Sequence, residues 1–266
     1  MKIGLALSGG AARGIAHIGV LKYLEERNVN LCCIAGTSAG SIVGSLYCSG
    51  KSVYELQEVA ESMSWKDLVK ISWPRRGIIE SERLLKVIKQ YLGDAKFEDL
   101  DLPLLINAVD IISGKEIIMK QGALAEAVTA SCSIPGIFTP VKSEGYMLVD
   151  GGLLNNIPAS LLKDQKLDYT ISVNVGAQSL LQKEPDNLVE VLIQSFDVIR
   201  RQHDQNASEY ADLVIKPELS EFAFHDTSKV KPLINAGYKA ASEALEKVDL
   251  SQKKGRISSL FSKGKK

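Results

Sequence analysis

Apolar residues along this chain fall into two kinds of run. Short unbroken ones, Ile3–Leu7, Leu31–Ala35 and Tyr169–Val175, have the form of strands buried on both faces of a sheet. Others recur at helical spacing: Ile15, Ile18, Leu21 and Leu24; Ile42, Val43, Leu46 and Tyr47, stopped by Gly50; and Leu188, Val191, Leu192, Ser195 and Val198, along one face of a long helix reaching about Tyr210. Ser52-Val53-Tyr54-Glu55 reads as a capping box that opens a helix to about Met63, and Asn187-Leu188-Val189-Glu190 as the cap of the long helix. Further helices are expected over 81–93, 123–131 and 229–248. Leu104–Val109 and Ile117–Met119 flank Ser113-Gly114 as a strand pair, and Tyr146–Val149 and Leu213–Ile215 read as the later strands. Strands alternating with helices in this way predict an α/β domain.

Glycine punctuates the pattern at two chemically loaded places. Gly36-Thr37-Ser38-Ala39-Gly40 lies between the strand at 31–35 and the helix that follows, so the chain must turn sharply there. A residue at such a turn is held in a strained backbone, crowded unless the positions two before and two after are glycine. Ser38 is therefore expected to be a nucleophile, at a helix N-terminus that favours developing negative charge. Earlier, Ser8-Gly9-Gly10-Ala11-Ala12-Arg13-Gly14 joins the first strand to the first helix, again an anion site by position. It lacks the Gly-Lys-Ser/Thr of a P-loop and the Gly-x-Gly-x-x-Gly of a dinucleotide fold. Its better use is as an oxyanion hole, backbone N–H groups of Gly9, Gly10, Ala11, Ala12, Arg13 and Gly14 meeting the Ser38 helix across adjacent parallel strands, with Arg13 fixing the loop or the oxyanion.

A nucleophilic serine needs a base. In the chain order of α/β-hydrolases a triad histidine would follow it, which leaves His203 and His225; His17 precedes Ser38 and belongs to the first helix. His203 lies in RRQHDQN, polar enough to read as solvated surface, whereas His225-Asp226 follows the last strand. The competing base is Asp150, delivered with Gly151 and Gly152 at the end of the strand at 146–149. Both readings stand on the residues alone.

Composition narrows the partners. The chain has 266 residues with 32 Lys and Arg against 32 Asp and Glu, but residues 251–266 hold six of the cations and no acid. A basic tail on an acidic body argues against nucleic acid. Ile257, Leu260 and Phe261 amid those lysines fit a short anchor for anionic lipid, a peripheral contact at the inner face of the membrane, or a flexible solubilising end. The four cysteines, 32, 33, 48 and 132, form neither a disulfide framework nor a zinc site, and a reducing cytoplasm fits them. No metal or cofactor is expected. Five apolar residues after Met1-Lys2 are too few for a signal peptide, and residues 65–80, with both tryptophans, read as a cover for an active site, a contact with lipid or a packed connection.

In this order the motifs resemble the patatin-like phospholipases, close to bacterial members akin to neuropathy target esterase. The resemblance covers about residues 3–248 and rests on Gly9–Gly14, on Gly36–Gly40, on Ser131-Cys132-Ser133-Ile134-Pro135 through Phe138 and Pro140, and on Asp150-Gly151-Gly152 with Asn155 and Pro158. It implies a three-layer α/β/α sandwich on a mainly parallel sheet over residues 1–250, and a Ser-Asp dyad without histidine: Ser38 as nucleophile, Asp150 as base, Gly9–Gly14 as oxyanion hole. The activity implied is hydrolysis of phospholipid or lysophospholipid acyl esters through an acyl-enzyme. The pattern usually has a third consecutive glycine where this chain has Ala11. Two alternatives remain open: a soluble-ester carboxylesterase or thioesterase using a Ser-His-Asp triad, and a non-catalytic lipid-binding regulatory module.

Overall fold

A computed structural model describes residues 1–63, 77–176, 184–204, 209–222, 226–246 and 248, without the side chains of 202–204. The tail at 251–266, both tryptophans and His225 lie outside the described residues.

The unbroken apolar runs are the centre of the sheet. β1 (Ile3–Leu7) is buried at every position and lies between β2 (Leu31–Gly36) and β7 (Tyr169–Val173), parallel to both, with Leu7 opposite Gly36 and Val173. β3 (Leu104–Asp110) continues the parallel set beyond β2, and β8 (Leu213–Ile215) beyond β7. The sheet is nonetheless mixed. β4 (Lys115–Met119) folds back on β3 as the expected hairpin, and β6 (Tyr146–Asp150) and β5 (Val141–Ser143) add antiparallel on the other side. The strand order is β5-β6-β3-β2-β1-β7-β8. Sequence pattern missed β5, a three-residue strand directly after Pro140.

The two faces carry different side chains. Leu5, Leu7, Ile34, Ile106, Ile171 and Val173 meet α1 (Ala16–Glu26), α2 (Ala39–Cys48), α3 (Val53–Ser62), α4 (Ser81–Leu92), α5 (Leu124–Ser131) and α7 (Val230–Leu245). α1 and α7 cross so closely that a Cβ on Gly19 would stand 1.9 Å from the Ile234 carbonyl oxygen. On the other face Ala6, Cys33, Ala35 and Leu105 pack under the 3-10 segment Pro158–Leu162, where a Cβ on Gly4 would collide with Leu167. Small strand residues let this layer approach closely. The architecture is a three-layer α/β/α sandwich around a mixed sheet.

α6 (Leu188–Asp204) buries a different face from the one the pattern predicts. Leu188, Val191, Ser195 and Val198 are exposed, while Phe196, Asp197 and Arg200 turn inward. The helix is apolar on two sides, and its buried side carries an ion pair, so hydrophobicity selects the wrong one.

Candidate active site

β1, β2 and β7 run parallel and in register, so the loops that leave them open at one edge of the sheet. Two sequence-predicted residues meet at that edge. Gly36 pairs with Ile106, and Ser38 follows two residues later; Asp150 pairs with Ala108, two residues beyond Ile106. The two side chains therefore emerge at the same height. β6 is antiparallel to β3. Asp150 reaches the site because β6 comes in from that edge and stops short.

Thr37–Gly40 is a tight turn, its ends joined by the Gly40 N–H to the Thr37 carbonyl at 2.8 Å. Ser38 has φ 50° and ψ −122°, the conformation of the first central residue of a type II′ turn, ordinarily a glycine. The flanking glycines serve the packing anticipated for them. A Cβ on Gly36 would lie 2.7 Å from the Gly40 carbonyl oxygen, and one on Gly40 2.2 Å from that of Leu7. Side chains hold the turn from outside: the Ser38 N–H donates to Ser131 Oγ (2.9 Å), Ser41 Oγ donates to the Ser38 carbonyl (2.6 Å), and Thr37 Oγ1 donates to Asn107 Oδ1 (2.7 Å). Asn107 Nδ2 reaches the Asn155 carbonyl and Glu116 Oε1, both at 2.9 Å, which ties this turn to the one after Asp150.

Asp150 is fully buried. Oδ1 accepts the Gly152 N–H at 2.8 Å, and a Cβ on Gly151 would strike Asn107 Oδ1, so the first glycine of the turn leaves no room for a side chain. Oδ2 closes no hydrogen bond of regular geometry among the described residues. Burial pushes the carboxyl up to about 6, against the Ser38 hydroxyl, the Gly152 amide and the Arg200 charge, all of which favour the ionised form. A buried carboxylate with one oxygen unsatisfied beside a serine hydroxyl is a proton acceptor awaiting its donor. Cys132, also beside Ser38, is pushed upward by burial and stays a thiol.

The glycine loop arches over this pair, a Cβ on Gly9 lying 3.1 Å from that of Ser38. Its six residues do different things. The Gly9 N–H is taken by the Asn156 carbonyl and the Arg13 N–H by that of Gly10, both at 3.1 Å, whereas the amides of Gly10 and Ala11 carry no hydrogen bond among the described residues. Ala12 lines an adjoining cavity, and Gly14 lets the loop press on Ala39, where a Cβ would come within 2.4 Å. Arg13 is buried, not a surface cation, and its guanidinium forks onto the Phe222 carbonyl at 2.9 and 2.7 Å. It fixes the loop from behind, and desolvation lowers its pKa to about 10. Ala11 sits at φ 48°, so alanine here holds a glycine conformation. The amide of Ala39, first in α2, has no partner within its helix.

Two apolar cavities open from Ser38 and share Ala11 and Ile134. One, of ≈ 120 Å³, runs along α2 past Val43 and Leu46 to Leu56, Leu84 and Ile88. The other, of ≈ 200 Å³, lies under α6 against Ile193, Phe196, Asp197 and Arg200. Asn156 and Arg200 border the site and were not anticipated; Arg200 belongs to the stretch that reads as solvated surface. Of the histidines, His17 is buried with Nε2 on the Ser8 carbonyl (2.8 Å), and burial lowers its pKa to about 4. His225 and the His203 side chain lie outside the described residues. No group of three or more His, Cys, Asp or Glu among the described residues could hold a metal ion, and no described helix is long and apolar enough to cross a membrane.

The profile of the patatin-like phospholipases matches residues 5–163. An uncharacterized NTE family protein of Mycobacterium tuberculosis is 33% identical over 178 residues, 66% of this chain and 49% of that protein. The neuropathy target esterase sws of Drosophila melanogaster is 32% identical over 184 residues, and the lysophospholipase NTE1 of Candida albicans 32% over 181, each covering 66% of this chain and 13% of the relative. The chain thus spans about half the length of the mycobacterial relative and far less of the others. Among solved structures, VipD of Legionella pneumophila superposes with a TM-score of 0.63 at 14% identity, covering 92% of this chain and 66% of its own.

Proposed function

The chain belongs to the patatin-like phospholipase family, and on that footing we propose that it is a serine acyl hydrolase acting on lipid esters through a Ser38–Asp150 dyad. Asp150 Oδ2 takes the Ser38 proton as Oγ attacks the ester carbonyl, and the resulting oxyanion is met by the amides of Gly10, Ala11 and Ala39 at the α2 N-terminus. Collapse expels the alcohol, which leaves with the proton from Asp150. Water, deprotonated by the same carboxylate, then frees the acid from the acyl-enzyme and restores Ser38.

The observation that carries this reading is the buried, half-satisfied carboxylate beside the hydroxyl, under amides with no other use. The cavity along α2 supports a long acyl chain: from Ala39 to Leu46 the helix rises about 10 Å, enough for an acyl chain of roughly eight carbons. The lysophospholipase name of a relative favours a phospholipid or lysophospholipid substrate. The same dyad would serve a soluble-ester or thioester hydrolase, and a non-catalytic lipid-binding module would leave the carboxylate without a task.

A fluorophosphonate is expected to add one adduct to the intact chain at Ser38, and none to Ser38→Ala. Turnover of p-nitrophenyl esters should rise with acyl length to at least about eight carbons, the length of the Ala39–Leu46 stretch of the cavity, and micellar lysophospholipid should be cleaved. Preference for short soluble esters or thioesters would favour the second hydrolase reading. Vesicle binding without a Ser38 adduct would favour the module.

A further inference from the structure

Arg200 lies on α6, outside the stretch matched by the family profile, and is 2% exposed. A guanidinium that deep needs partners, since an unpaired buried charge is strongly destabilising. Nη2 forms an ion pair with Asp197, itself 6% exposed. Nη1 donates to the Gly9 carbonyl at 2.9 Å and stands 3.5 Å from Asn156 Oδ1. The space is reserved for it: a Cβ on Gly176 would lie 2.4 Å from Nη2.

What Arg200 grips is the peptide between Gly9 and Gly10. A trans peptide is planar, with its C=O and N–H on opposite edges, so drawing the carbonyl one way aims the amide the other. The preceding peptide behaves in this manner: the Ser8 carbonyl accepts from His17 Nε2 while the Gly9 N–H leaves the opposite edge for the Asn156 carbonyl. In the next peptide Arg200 takes the Gly9 carbonyl, and the Gly10 N–H, directed away from it, is left without a hydrogen bond among the described residues.

We propose that Arg200, held by Asp197, is the positioning residue of the oxyanion hole, fixing the Gly10 N–H on the charge that develops at the carbonyl attacked by Ser38. The inference rests on the hydrolase reading. Arginine suits the task because its planar fork spans Asp197 and the Gly9 carbonyl together, and a hydrogen bond from a cation is roughly twice as strong as a neutral one. Lysine, a single point charge, keeps the ion pair or the carbonyl but does not hold both in one plane.

The test uses the full chain with Arg200→Lys and Arg200→Gln. It measures kcat and KM on a p-nitrophenyl ester, inhibition by a trifluoromethyl ketone of the same acyl length, and the melting curve. An oxyanion donor out of place lowers kcat about 100-fold or more with KM within about threefold, and weakens the ketone, which forms a tetrahedral adduct on the serine, by the same factor as kcat/KM. A folded variant whose kcat stays within about threefold of the unaltered chain, or whose loss is not matched by the ketone, overturns the proposal. Failure of both variants to fold also overturns it, since Arg200 would then support the fold rather than the hole. An unaltered chain that turns over no ester sinks the hydrolase reading and this inference together; equal turnover in the unaltered chain and the variants sinks the inference alone.

Discussion

Backbone at Ser38 is held where glycine is at ease and serine is not, at φ 50° and ψ −122°, while at Asp150 it is relaxed, at φ −51° and ψ 130°, and closed by the side chain's own bond to the Gly152 amide. The electrostatics are reversed. The serine is neutral and has no charge to desolvate, whereas the aspartate is a fully buried carboxyl pushed up to about 6. Both residues destabilise the native state, one through torsional strain and the other through desolvation. Strain does not depend on pH and a buried charge does, so the two halves of the site can be separated by titration.

The largest effect tests whether the halves act as one unit. On the proposed mechanism, in which nucleophile and base serve the same step and their losses are not additive, Ser38→Ala and Asp150→Asn are each expected to lower kcat for ester hydrolysis about 10³-fold or more. A double variant no slower than either single one would confirm the coupling. The acid limb of kcat/KM in the unaltered chain should fall near pH 6, where Asp150 takes up its proton. Retained activity in Asp150→Asn would separate the halves and return the base to a histidine.

Next in size is the stability of Asp150→Asn. The folded-state pKa lies above the ordinary 3.8, so the protonated carboxyl favours the fold; that contribution is complete below about pH 4 and is lost as pH rises through about 6. A shift of about two units corresponds to about 3 kcal/mol, so Asp150→Asn should be more stable than the unaltered chain by that order at pH 8 and equal to it near pH 4. Urea unfolding at the two pH values reads the difference. Equal stability at pH 8 would mean that the carboxylate is solvated better than its burial implies.

Strain gives the smaller, pH-independent counterpart. Ser38→Gly should exceed Ser38→Ala in stability by about 1 kcal/mol at pH 4 and pH 8 alike, since glycine adopts this turn without the Cβ penalty. A gap that changes with pH would show that the Asp150 charge, and not the torsion, sets the difference.

The sequence discloses these halves unequally, and for physical reasons. A strand turning into a helix imposes a steric rule, and Gly36 and Gly40 obey it in a form visible without coordinates. Asp150 is reached only through the need for a base and through resemblance, because Asp-Gly-Gly is also an ordinary turn, and its place level with Ser38 depends on the long-range antiparallel pairing of β6 with β3. Arg200 was hidden altogether. A buried ion pair has the same composition as a solvated surface, and the partners that bury it, Gly9, Asn156 and Gly176, are distant along the chain. Arg13 is intermediate: its place in the glycine loop is legible, but its bond to the Phe222 carbonyl depends on tertiary contact.

Ala11 offers the finest test of the strained half. The resemblance leads one to expect glycine there, and the alanine is held at φ 48°, a left-handed backbone that glycine adopts at less cost. Left-handed backbone costs alanine about 1 kcal/mol, and glycine's greater freedom in the unfolded chain takes back part of any gain. Ala11→Gly is therefore expected to stabilise by about 0.5 kcal/mol, independently of pH, with kcat changed less than about threefold because the Gly9 carbonyl stays anchored by Arg200. The Ala11 side chain also lies where the two cavities meet at Ser38, so the passage between them widens when it is removed. Destabilisation of about 1 kcal/mol or more would show that this methyl group packs the cavity wall more tightly than its torsion strains the loop, and would move Ala11 from the strained half of the site to its lining.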